Sequence, residues 1–98
     1  MLLIKEDYYD DIRKFVEYNF KTLSDICLKC GYRPYGDIYK SSQDETICFD
    51  VHKVNGGYGN IRVLERELSK FINNFDFRFF TQPLTRPTID DVRIAIFY

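Results

Sequence analysis

An α+β fold, with two helices packed on one face of a four-stranded, mainly antiparallel sheet in the order α-β-β-α-β-β, is predicted by three features of this sequence. Apolar residues recur at three- and four-residue intervals over residues 6–30 and 61–73, the period of a one-sided helix. They recur at every second position over 47–51 and 92–96, the period of a half-buried strand. Polar or glycine-rich runs separate these segments, as turns require.

In the first segment, Tyr8, Ile12, Phe15, Val16, Leu23, Ile26, Cys27 and Cys30 form the apolar stripe. Glu6, Asp7, Asp10 and Asp11 lie at its start, and Lys29 and Gly31 at its end. That charge order suits the helix dipole, and the glycine suits a left-handed cap. Thr22-Leu23-Ser24-Asp25 resembles a new N-terminal cap, so a break into two helices is expected near Lys21.

Residues 33–54 read as a hairpin. Pro34 and Gly36 make its beginning irregular, which places the first strand at Asp37 to Lys40. Ser41-Ser42-Gln43-Asp44 supplies the turn. In the second strand Ile47, Phe49 and Val51 share the core face with Lys53 at its end, and Cys48, Asp50 and His52 take the other. After the loop Asn55-Gly56-Gly57-Tyr58-Gly59, Asn60 caps a helix over Ile61 to Asn73. Two strands follow, Phe75 to Thr81 and Asp91 to Phe97, joined by a linker over 82–88. Both helices on one face leave the other open to solvent or a partner.

At 98 residues the chain has room for one domain, 1–98, with a single core. Fourteen basic against fifteen acidic residues give a net charge of −1, which disfavours a general nucleic-acid binder and an acidic nucleic-acid mimic alike. No run approaches the ~20 apolar residues of a membrane span. The N-terminus lacks the basic start and apolar run of a secretory signal. Three cysteines, an odd number, fit free thiols in the reducing cytoplasm. The abundance of Ile, Phe, Tyr, Lys and Asn is that of A/T-rich genes, common in bacteriophages and mobile elements.

Four constellations bear on chemistry. Cys27-Leu28-Lys29-Cys30-Gly31 resembles half of a zinc knuckle, with Cys48 and His52 as the nominal second pair. Residues four apart on a strand are about 13 Å apart, too far for one zinc, and buried helix cysteines are the simpler reading. A redox role for Cys27 and Cys30 is opposed by their place at a helix C-terminus, where the dipole disfavours a thiolate. Cys48, Asp50 and His52 share a strand face at spacings of about 6–7 Å, too long for direct proton transfer. Gly56-Gly57-Tyr58-Gly59-Asn60 precedes a helix but lacks the lysine and hydroxyl of a phosphate-binding loop. No metal, cofactor or catalytic set is therefore expected.

Arg78 and Arg93 fall opposite the apolar faces of the last two strands, and Tyr32, Tyr35 and Tyr39 cluster before the first turn. Exposed tyrosine and arginine suit a protein interface. The expectation is a small binding protein acting by occlusion, such as an immunity protein, an antitoxin or a phage-encoded inhibitor, with a toxin or host enzyme as partner. The last strand, ending Ile96-Phe97-Tyr98, offers an edge for a homodimer. The alternatives are a small nuclease or toxin-like hydrolase using His52 and Asp50, and a zinc-stabilised or RNA-binding module.

Overall fold

The computed structural model describes residues 5–41, 43–54, 60–86 and 89–98. The first helical segment is divided, as the expected break implies, into α1, Lys5–Tyr18, and α2, Phe20–Lys29. Among the described residues the fold thus carries three helices on the sheet, in the order α-α-β-β-α-β-β. The break falls at Asn19, two residues before Lys21. The Asn19 backbone N–H and side-chain amide both donate to the Phe15 carbonyl, at 3.0 and 2.9 Å. A short polar side chain competing for a backbone acceptor is a known helix spoiler. Thr22 to Asp25 lie inside α2 and cap nothing. The break lets each helix aim its own stripe: Tyr9, Ile12, Phe15 and Val16 from α1, Leu23 and Cys27 from α2. Gly31 follows α2 at φ +86°, the left-handed position expected of it.

The first strand, β1, runs Tyr32–Ser41, well beyond the expected Asp37 to Lys40. It pairs with β2, Thr46–Lys53, through an irregularity: Tyr35 faces Asp50 and Tyr39 faces Cys48. Gly36, Asp37 and Ile38 together therefore oppose Phe49 alone, a bulge that Gly36 permits by adopting φ +70°. What the sequence presents as a broken start is one continuous bulged strand.

The third helix, α3, spans Ile61–Ile72 and buries Leu64, Leu68 and Ile72. The Asn60 side chain accepts from the N–H groups of Arg62 (2.9 Å) and Val63 (3.3 Å), the cap the sequence predicts. The last two strands are β3, Arg78–Arg86, and β4, Ile89–Phe97. Much of the expected 82–88 linker is therefore strand. Pro83 is tolerated because β3 lies at the sheet edge, where a missing N–H breaks no ladder.

The strand order is β1-β2-β4-β3, with every neighbouring pair antiparallel. Strands β2 and β3 are consequently parallel, and α3 carries the chain across the sheet between them while β4 fills the gap. Strand β4 has a partner on both sides, so it offers no edge, and the edge-to-edge dimer expected through Ile96-Phe97-Tyr98 has no free strand to form on. The edges are β1 and β3.

The core lies between sheet and helices. Ile47, Phe49 and Val51 of β2 and Val92, Ile94 and Ile96 of β4 meet the three helical stripes and are essentially closed to water. Each such side chain contributes about 1.5–3 kcal/mol by burial. Lys53 has the phase of this face, but it stands at the strand end and is exposed. Among the described residues no helix is long and apolar enough to cross a membrane.

Candidate functional site

All three helices take one side of the sheet, and among the described residues the opposite side is covered only by its own side chains. Three rows cross it. Tyr39, Cys48, Ala95 and Phe80 are register partners in turn from β1 to β3. Asp50, Arg93 and Gln82 form the next row, with Tyr35 opposite Asp50 on β1. Arg33, His52, Asp91 and Leu84 form the third.

Long side chains from the edges fold inward over the short ones in the middle. The Tyr39 hydroxyl donates to Asp50 Oδ1 at 2.7 Å, and the Tyr35 hydroxyl donates to Asp91 Oδ2. The Tyr35 ring stacks on His52 with centroids 5.0 Å apart. The Arg93 guanidinium lies 5.6 Å from the Tyr39 ring centroid and reaches Gln82 Oε1 at 3.4 Å. Thr46 Oγ1 and Cys48 Sγ are 3.2 Å apart. As a result Thr46, Cys48, Asp91 and Ala95 are buried although no helix covers them.

The electrostatics follow from this packing. Burial first, and then the hydrogen bond to Asp50, push the Tyr39 phenol well above its usual range, so it stays a donor. Burial opposes the charge on Arg93, but its neighbours, the Asp50 carboxylate among them, outweigh that and hold the guanidinium charged. Two buried polar atoms on this face, Asp91 Oδ1 and Arg93 Nε, have no hydrogen-bond partner among the described residues. Buried groups in that state are rare and call for a reason.

Of the five residues singled out from sequence, Tyr35, Tyr39 and Arg93 fall into this one cluster. Arg78 shares the face but sits four residues along β3 from Gln82, about 13 Å away along the strand, and is exposed. Tyr32 is a correction. It is register partner to Lys53, in core phase, and only 3% exposed, so its ring belongs to the core and is not offered to a partner. Its three-residue offset from Tyr35 puts the two on opposite faces of a strand. Sequence reasoning missed Asp91, Gln82 and Phe80. Their alternation with Val92 and Phe79 places them on the open face, but the burial of Asp91 depends on Tyr35, fifty-six positions away in the chain.

The other constellations come apart. Cys27 and Cys30 are buried in the core on the helix side, and Cys48 and His52 lie on the opposite face of the sheet, so the four nominal zinc ligands do not converge. Among the described residues no group of three or more His, Cys, Asp or Glu side chains has the geometry to hold a metal. Burial, with Cys30 adding to it, pushes the Cys27 thiol up to about 12, and burial likewise raises Cys30 and Cys48. That is the opposite of what a reactive thiol needs. Asp50 is engaged by Tyr39 and His52 by Tyr35, and Cys48 is closed to solvent, so the trio is held apart as neighbours on one strand. In the glycine loop, 55–59 lie outside the described residues.

Comparison of the chain with protein-family models, curated proteins and solved structures gave no match. The functional reading therefore rests on the geometry.

Proposed function

We propose that this chain is a small protein-binding domain that acts by occlusion, docking a partner protein on the helix-free face of its sheet. The observation that carries the reading is that no described element covers this face, yet its side chains are locked by tyrosine–carboxylate hydrogen bonds and an arginine stacked on a tyrosine. A surface fixed in advance loses little entropy on binding. Tyrosine and arginine are the residue types that supply most interface energy. Exposed Phe80 and Arg78 extend the face toward β3.

The partner suited to this face is a protein presenting an acidic or carbonyl-rich patch to Arg78 and Arg93, such as a toxin or a host enzyme whose working surface is blocked. An immunity protein, an antitoxin and a phage-encoded inhibitor all work in this way. We place the action in the reducing cytoplasm, because Cys27, Cys30 and Cys48 are all free thiols.

The test uses three baits in extract of the native host: the wild type, the double variant R78E with R93E, and K21E on the helical side. A protein held by wild type and K21E but lost by the double variant, and burying at least about 1,000 Å² in the reconstituted complex, supports the reading. Equal recovery on all three baits, or recovery of nucleic acid in place of protein, refutes it.

A further inference from the structure

At one end of the core five aromatic rings come together away from the open sheet face. Phe15 packs against Phe71, Phe75 and Phe77 at centroid distances of 6.4, 4.8 and 4.5 Å, and Phe77 continues to Tyr98 at 5.0 Å. Phe15 is buried and Phe71 and Phe77 are half-buried, but Phe75 and Tyr98 are 42% and 41% exposed. They flank a cleft of about 490 Å³. Its rim is acidic. The Tyr98 hydroxyl donates to Asp11 Oδ2 at 3.0 Å and so fixes one carboxylate there, and Asp76, between Phe75 and Phe77 in the turn after α3, supplies another. Among the described residues no lysine or arginine lines the cleft, and neither Asp11 nor Asp76 is paired with a cation. The lysine one turn along α1, Lys14, is drawn to Asp10 at 3.7 Å.

Exposed aromatic surface rimmed by polar groups marks an interaction site, and here the rim has one sign. Aromatic faces and uncompensated carboxylates attract the same kind of group, a cation with a flat, weakly hydrated surface. Guanidinium meets both demands, stacking on a ring while its N–H fork engages a carboxylate; an ammonium offers no plane to stack. We propose that this cleft is a docking site for an arginine side chain of a basic protein segment. It is separate from the sheet face, and it stands or falls independently of the reading given to that face.

The experiment is an NMR titration of the isotope-labelled full chain with the peptide acetyl-Gly-Arg-Gly-amide. The control peptide carries citrulline, equal in shape but neutral, in place of arginine. The arginine peptide is expected to shift the resonances of Phe75, Asp76, Phe77 and Tyr98, saturating in the millimolar range expected of a single exposed cation contact. The citrulline peptide is expected to bind at least about tenfold more weakly. The variants D76N, at an exposed position, and F75L, which keeps apolar bulk but loses the ring, are each expected to weaken binding about threefold, with the rest of the spectrum unchanged. Equal binding of the two peptides, shifts that map elsewhere, no shift at millimolar peptide, or full affinity in both D76N and F75L would overturn the proposal.

Discussion

Replacing Tyr39 by phenylalanine probes the lock on the open sheet face directly. The substitution keeps the ring, and with it the contact to Arg93, and removes only the hydroxyl that donates to Asp50 at 2.7 Å. A hydrogen bond to a charged group contributes about 1.5–3 kcal/mol net when buried. Asp50 is half-buried, so water recovers part of the loss, and a destabilisation of about 1–2 kcal/mol is expected. For a chain of this size that lowers Tm by about 5–10 °C. Thermal unfolding followed by far-UV circular dichroism at pH 7 reads this shift, with Tyr18→Phe, at a ring 91% exposed, as the unchanged control. The same variant has a pH signature. Native Tyr39 holds its proton above the usual phenol range, so the native state binds more protons than the unfolded state once pH exceeds about 10. Wild-type stability should therefore fall above that pH, and the Y39F curve should be flatter there. A Y39F protein that melts with the wild type, with the same alkaline slope, would show that the hydroxyl holds nothing in place.

Three further outcomes test the scaffold that presents this face. Asn60→Ala removes the acceptor for two N–H groups at the start of α3 and should cost about 1 kcal/mol in denaturant unfolding. Leu68→Ala opens a void at a fully buried position against the sheet and should cost about 2–5 kcal/mol, leaving the slope against denaturant unchanged. Cys27, raised by burial from 9.0 to about 12, contributes stability that is present below pH 9 and lost as pH rises toward 12. Cys27→Ala should therefore remove part of the alkaline decline between those values, as a pH series of melts would show.

How much of this was legible in the sequence depended on whether burial followed local periodicity. It did in α3, where Ile61, Leu64, Leu68 and Ile72 keep a helical spacing behind a real asparagine cap, and in β2, where Ile47, Phe49 and Val51 alternate cleanly. It did not in β1, because Pro34 and the left-handed Gly36 look like a break while the structure uses them in a bulged edge strand. Pro83 misled for the same reason, being compatible with an edge whose position only the strand order reveals. Arg93 was legible as an open-face residue by its phase with Ile94. Its partnership with Tyr39 and Gln82 was not, because it joins three strands through long-range pairing. Tyr32 keeps the company of Tyr35 and Tyr39 in the sequence, but parity alone separates it from Tyr35.

The central claim, that the helix-free face of the sheet receives a partner protein, is tested most directly by hydrogen–deuterium exchange on the reconstituted complex. Amide exchange along β3, an edge strand carrying Phe80 and Gln82, is predicted to slow on binding, together with β1 around Tyr35 and Tyr39, while α1 and α2 exchange as in the free chain. Protection confined to α1 and α2, with β1 and β3 unchanged, would contradict it.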